Sequence, residues 1–406
     1  MLGCAPAHKQ IELGAVVDVR ERRDSEAGEG PPMKKRLFSL LFASALLAGC
    51  GHSAEAFQPI STAPAASITS GTFLAGESVP LAQGGAWVAI GLVDGDVNRD
   101  LVVGMEGQVV VLLGKGDGTF DDPAPIASLT GQVLALGDLN GDGLLDIVAS
   151  ALDSATFNLL PGNGDGTFDA PIPLVASDPV NEVHTLDLEG DGDLDLAVSV
   201  PGLDLVQVFV NGGNFSFIAG PQVTVPGASG MAVADYNLDG RSDLGLGLED
   251  PNGVRIVLNT PDGLQLAGSG TTASRSFSCG TGDFNGDGRP DLATIELNDT
   301  LSVWFGDGTG GISAALELPT GQESFQVIGA NLNGDNHTDI VVATRESGLL
   351  DIYIANSAGG FDQRPSLDSP LTISVASGDV NGDGRNDLVA VTGEPAASVN
   401  VYLGQP

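Results

Sequence analysis

The chain reads as an all-β protein, a seven-bladed β-propeller with four antiparallel strands per blade, and three observations carry that expectation. A nine-residue acidic loop begins at positions 92, 138, 187, 235, 283, 331 and 379, so its spacing settles at 48 residues. A repeat of that size is one supersecondary unit, and four strands per unit is the propeller solution. Between the loops lie short apolar, β-branched runs bounded by Gly, Asp and Asn, which is strand-and-turn grammar. No helical period is found downstream of residue 70.

One unit illustrates the reading. QVLALGD leads into the loop at Asp138, and LLDIVAS follows as the second strand. TFNLLPG is the third, and the turn GDGTF at Gly164–Phe168 precedes the outer run APIPLVA. The same turn stands at Gly116–Phe120, with looser versions at Asn211–Phe215, Gly306–Ile312 and Ala358–Phe361. Runs such as DLAVSV are apolar almost throughout, as expected of strands covered on both faces by neighbouring blades.

The loops carry the chemistry. Five copies are complete: DLNGDGLLD (Asp138–Asp146), DLEGDGDLD (Asp187–Asp195), DYNLDGRSD (Asp235–Asp243), DFNGDGRPD (Asp283–Asp291) and DVNGDGRND (Asp379–Asp387). A sixth, NLNGDNHTD (Asn331–Asp339), is near-complete, and LVDGDVNRD (Leu92–Asp100) is degraded. Oxygens at positions 1, 3 and 5, a carbonyl at position 7 and a closing Asp at position 9 suit a hard cation, with glycine at position 6 allowing the sharp turn. The expected calcium ligands are Asp138, Asn140, Asp142 and Asp146; Asp187, Glu189, Asp191 and Asp195; and Asp235, Asn237, Asp239 and Asp243. The later blades supply Asp283, Asn285, Asp287 and Asp291; Asn331, Asn333, Asp335 and Asp339; and Asp379, Asn381, Asp383 and Asp387. About five or six ions follow from these copies. An EF-hand is excluded by the strand-like flanks and by Ala149 at position 12 of the second copy, and a nonapeptide β-helix by the long period. Leu92 and Val97 mark blade 1 as a weak site or none, Glu189 predicts distortion in blade 3, and Asn336 at position 6 of blade 6 is expected to accept left-handed angles.

These loops, with their spacing and flanking strands, resemble the FG-GAP/VCBS repeat family, whose best-known member is the integrin α-subunit propeller. The resemblance covers residues 71–406. It implies a calcium loop joining the first and second strands of each blade. The entry GTF (Gly71–Phe73) then matches an outermost strand and the exit VNVYLG (Val399–Gly404) a third strand, so the N-terminal strand completes the last blade and closes the ring. It also implies ligand binding on the face opposite the loops. That rim is expected to carry Trp87, Phe157, His184, Phe277 and Phe325, with Glu249, Asp250, Glu296, Asp299, Arg345 and Glu346.

Residues 33–49 read as a signal peptide. Lys34, Lys35 and Arg36 form its basic region, Leu37–Leu47 a short apolar stretch, and Leu47-Ala48-Gly49-Cys50 resembles a bacterial lipobox. Cys50 is then the lipidated residue of a membrane-anchored protein, periplasmic or on the cell surface. Residues 1–32 read as an upstream extension with Met33 as the start, and residues 50–70 as an Ala/Ser/Thr/Pro-rich tether. Cys279 alone remains beyond the anchor and reads as a buried structural thiol.

The net charge of −37 repels nucleic acid and anionic surfaces, and no Lys/Arg cluster follows residue 50. No nucleophile elbow, zinc-helix motif or P-loop is present. The expectation is therefore a monomeric, non-enzymatic recognition or adhesion protein for an unidentified protein or glycan. A calcium-stabilised lectin is the alternative, and a polysaccharide lyase the more distant one.

Overall fold

Short apolar, β-branched runs bounded by Gly, Asp and Asn build the sheets. The computed structural model describes residues 73–405 apart from 106, 127–132, 152–153 and 357, and the backbone alone of 133 and 134. The signal segment, Cys50 and the tether lie outside the described residues.

The first strand, β1 (Phe73–Pro80), stands apart from the blade that follows it. Blade 1 is β2 (Gly85–Gly91), β3 (Asp100–Met105), β4 (Val109–Leu112) and β5 (Ala124–Pro125). Blade 2 is β6 (Val133–Gly137), β7 (Asp146–Ser150), β8 (Thr156–Leu160) and β9 (Ile172–Val175). Blade 3 is β10 (Glu182–Leu186), β11 (Asp195–Val200), β12 (Leu205–Asn211) and β13 (Phe217–Thr224). Blade 4 is β14 (Ala228–Ala234), β15 (Asp243–Glu249), β16 (Asn252–Thr260) and β17 (Gly263–Gly270). Blade 5 is β18 (Ser276–Gly282), β19 (Asp291–Glu296), β20 (Thr300–Trp304) and β21 (Leu316–Pro319). Blade 6 is β22 (Ser324–Ala330), β23 (Asp339–Thr344), β24 (Leu349–Asn356) and β25 (Gly360–Asp368). Blade 7 is β26 (Thr372–Gly378), β27 (Asp387–Thr392) and β28 (Ser398–Gly404), and its fourth strand is β1, paired antiparallel from Phe73↔Gly404 to Pro80↔Ser398. The ring of seven antiparallel blades and its closure by the N-terminal strand are as the repeat arithmetic requires. The one helical element among the described residues is a 3-10 turn, Pro201–Leu203.

Burial explains the apolar second strands. Strands β3, β7, β11, β19, β23 and β27 are buried at every residue. Their side chains alternate between two neighbours. Leu101, Val103 and Met105 pack toward blade 7, whereas Val102 packs toward blade 2. Each of the seven apolar clusters is shared by two consecutive blades, so no blade holds a core alone.

A row of polar latches joins the inner strands. In four blades the residue five before the loop accepts a backbone N–H from the next blade. Ser278 Oγ takes Val327 N–H at 3.2 Å, Gln326 Oε1 takes Val375 N–H at 2.7 Å, and Ser374 Oγ takes Val88 N–H at 3.2 Å across the closure. In blade 3 the acceptor is Glu182, which takes the Met231 N–H. In blade 4 the equivalent residue is Gly230, where a Cβ would lie 2.6 Å from the Phe277 carbonyl oxygen, so the two inner strands touch directly.

Candidate functional site

The acidic loops join the first and second strands of every blade and share one end of the ring. Position 1 is the hub. Asp138 Oδ1 accepts N–H bonds from Gly141 at 2.8 Å and Asp142 at 3.2 Å, and its Oδ2 accepts Gly143 N–H at 2.8 Å. Asp187, Asp283 and Asp379 repeat all three bonds. Asp235 keeps the two from Asp239 and Gly240. Positions 4 and 6 have positive φ, +79° at Gly141 and +87° at Gly143, which is why glycine stands at both. The position 4 requirement was legible as a second glycine but was not read. Leu238 meets it in blade 4 at φ +58°.

Position 3 turns the chain into position 5. Asn140 Oδ1 accepts the Asp142 N–H at 2.8 Å, and Asp142 Oδ1 accepts Leu144 N–H at 2.8 Å. Asn237–Asp239, Asn285–Asp287, Asn333–Asp335 and Asn381–Asp383 do the same. In blade 3 Glu189 makes no such bond. Its longer side chain reaches Asp195 instead, and burial together with that carboxylate pushes its own carboxyl upward.

Position 9 ties the loop to the blade. Asp146 is fully buried, with Oδ2 accepting Leu139 N–H at 2.7 Å and Oδ1 accepting Gly162 N–H at 2.8 Å. Asp195, Asp291, Asp339 and Asp387 are held by the equivalent pairs of amides. Asp243 keeps the bond from Asn259 at 2.7 Å. Burial first, then the carboxylates at positions 5 and 1, push Asp146 and Asp243 up to about 6 and Asp291 to about 7, and burial with the position 5 carboxylate alone pushes Asp339 up to about 6.

The next blade grips each loop from outside. Gly118, Gly166 and Gly310 of the GDGT-type turns donate N–H bonds to the position 2 carbonyls of Val380, Val93 and Tyr236 at 3.2, 3.0 and 3.0 Å. Blades 3 and 4 lack that turn and use a side chain instead. Asn211 Nδ2 donates to Leu139 O at 2.7 Å, and Asn259 Nδ2 to Leu188 O at 2.6 Å. The two sequence variants thus do one job at five loops, and Thr338 N–H to Asp283 O at 2.8 Å and Asn386 Nδ2 to Asn331 O at 3.0 Å hold the loops of blades 5 and 6.

Two expectations need correction. Asn336 does not adopt positive φ. With Asn331 as hub, the loop of blade 6 closes differently: Asn331 Oδ1 accepts Gly334 N–H at 2.7 Å, while its Nδ2 donates to the Asp335 carbonyl and removes the need for a third amide bond. Phe157 is not on a rim. It is wholly buried and meets Phe209 edge-to-face, centroids 5.4 Å apart.

Of the remaining rim residues, Trp87, His184, Phe277, Phe325, Glu249, Asp299 and Arg345 are half-buried, Asp250 and Glu346 are exposed, and Glu296 is buried. Trp87 packs against the blade 1–2 cluster and Phe277 against the blade 5–6 cluster. His184 Nε2 lies 3.5 Å from Glu182 Oε2, beside the latch to blade 4. Phe325 lies under the Arg345 guanidinium, 5.7 Å from its ring centroid. Glu249 accepts a bond from Ser229 Oγ at 2.8 Å and pairs with Arg275 at 3.8 Å, and Glu296 is buried under Ser274 and Ser302. Cys279 is half-buried, and burial first, then the Glu182 carboxylate, push its thiol well up.

The loop repeats match the family model described as FG-GAP-like repeat over residues 93–149, 138–198, 235–294, 283–342 and 331–390, more than half of the chain. The chain belongs to the FG-GAP-like repeat family. Among solved structures, this FG-GAP propeller is similar to BBS1N in its complex with ARL6DN, with a TM-score of 0.61 and 13% identity over 82% of this chain and 96% of that one. It is also similar to an Agrocybe aegerita lectin described as recognising non-reducing terminal N-acetylglucosamine, with a TM-score of 0.53 and 19% identity over 71% and 81% of the two chains. At these identities the likeness is one of fold. No curated protein matches the sequence.

The loop donors fit a hard cation by type. Positions 1, 3 and 5 offer carboxylate and amide oxygens, and each oxygen that accepts one N–H keeps a second lone pair. Among the described residues, no three acidic, His or Cys side chains form a closed metal cage. The candidate is instead a mixed set of side-chain oxygens on a preformed turn.

Proposed function

We propose that this FG-GAP propeller is a calcium-binding recognition module, held outside the cytoplasm by a lipid on Cys50, that takes a protein or glycan ligand on the face opposite its acidic loops. The observation that carries the reading is the repeated hub: a position 1 Asp or Asn holds the turn in six loops, with further side-chain oxygens at positions 3 and 5 beside it. A divalent ion there would neutralise carboxylates that otherwise repel one another. The chain's own part is to hold the oxygens by backbone amides and to pin the loop to two blades.

The direction of entry supports the choice of face. Strand β1 starts at Phe73 opposite Gly404, whose N–H is bound by Asp387 of the last loop. The described chain thus begins at the loop end of the ring, away from the proposed ligand face.

Extracellular calcium modules bind with Kd of about 10⁻⁴–10⁻³ M. At about 1 mM calcium and a Kd of about 0.1 mM, linkage supplies roughly 1.4 kcal/mol per site. Six such sites amount to roughly 8 kcal/mol, comparable with a whole domain's stability of about 5–15 kcal/mol. The melting temperature should therefore fall steeply in excess EGTA, and magnesium should restore little because it dehydrates reluctantly. Coincident melting curves in EGTA and in calcium would overturn the calcium reading.

A further inference from the structure

Strands β18, β22 and β26 each carry a β-bulge near their start, and the bulged residues are Phe277, Phe325 and Ile373. A bulge re-aims the side chain it carries. All three are half-buried, at the end of the ring opposite the acidic loops. Phe325 belongs to none of the apolar clusters. What covers its ring is the half-buried Arg345 guanidinium.

That guanidinium makes no hydrogen bond and no ion pair among the described residues. In a chain with 53 acidic residues and 16 basic ones, this calls for a reason. Asp299 and Asp351 are committed elsewhere, whereas the exposed Glu323 and Glu346 carry no side-chain bond among the described residues. Asp299 Oδ1 accepts the Glu323 N–H at 3.0 Å. Asp351 Oδ2 accepts Gly321 N–H at 2.7 Å, and its Oδ1 accepts Ser366 Oγ–H at 2.6 Å. The same bonds make the segment rigid: Arg345 N–H donates to Glu323 O at 2.8 Å, and Gln322 N–H donates to Ser347 Oγ. A planar donor fork is therefore held over an aromatic ring with its donors unspent.

We infer that Arg345 and Phe325 anchor a terminal acidic sugar of the uronic acid class, an inference that rests on this face being the recognition face. Guanidinium and carboxylate match as a bidentate pair, and the half-buried Phe325 beside it offers an apolar contact to a pyranose. A peptide carboxylate is disfavoured, because capture in a backbone nest needs free N–H groups. Here the N–H groups of Thr320, Gly321, Gln322, Glu323, Arg345 and Ser347 are all donated within the protein. The net charge of −37 repels an extended polyanion, so the acid that fits here is a single terminal carboxylate held in the guanidinium fork.

The test is calorimetric titration of the full chain, in calcium, with an oligosaccharide ending in non-reducing glucuronic acid and with its neutral glucose-ended counterpart. The acidic sugar should bind about tenfold or more tightly than the neutral one. Arg345→Lys, which keeps the charge but loses the fork, should weaken it about tenfold, and Arg345→Ala should abolish the preference, both with unchanged melting. Equal binding of the two sugars, undiminished binding by R345A, or no binding of the acidic sugar would overturn the inference. Neutral glycans that bind R345A as well as the native chain would sink this anchor and leave the recognition reading standing.

Discussion

Asp100 accepts the Gly114 N–H at 2.8 Å, although the loop that it closes has Leu92 in place of the first carboxylate. Its other oxygen takes the Val93 N–H, also at 2.8 Å. The closing Asp therefore has a structural duty in all seven blades that does not depend on the rest of the loop.

Asp100→Ala removes two charge-assisted bonds and leaves two buried amides unpaired, at a cost of about 3 kcal/mol. Urea unfolding should show the same loss in excess EGTA as in calcium. A loss confined to calcium would mean that Asp100 acts through a metal.

Calcium stoichiometry should follow the hubs. Asp142→Ala and Asp287→Ala should each remove about one bound ion in calorimetric titration. Asp96→Ala should change the count little, because Leu92 offers no hub to its loop.

Glu182 makes the latch to blade 4 pH-dependent. Burial raises its carboxyl above the ordinary 4.5. The unfolded chain ionises first, so the stability it contributes is complete below about 4.5 and is lost as pH rises through the raised folded value. Glu182→Gln should flatten that loss, since Gln326 already makes the same latch as an amide. E182Q should therefore equal or exceed the native stability at pH 8, while Glu182→Ala falls below it by about 1–2 kcal/mol. Unfolding curves at pH 5 and pH 8 decide between these outcomes.

Phe157→Ala should cost about 3–5 kcal/mol, as a fully buried ring does, and should leave ligand binding by the refolded fraction unchanged. A rim residue would show the opposite pattern, which binding and urea titrations separate.

Cys50→Ala should release the protein from membranes and block lipid labelling. A variant that still fractionates with membranes and takes up labelled lipid would overturn the anchor.

The fold was legible because the repeat is regular. A fixed period, a recognisable loop and apolar second strands specify blade number, strand order and closure, since each blade can bury its faces only against its neighbours. The hubs were legible for the same reason: Asp138 and Asp283 recur at fixed offsets. Local sequence could not show that Asp146 bonds Gly162, that Asn211 grips Leu139, or that Glu182 latches Met231, because these partners lie on other strands or other blades. Phe157 and Phe325 were alike as sequence, both aromatics near a blade edge. Pairing register then sent one into a shared core, and a β-bulge turned the other under Arg345. Composition and period determine which elements form. Which side chains remain available for a ligand is decided by packing between elements distant in the chain, and that is a property of the closed ring.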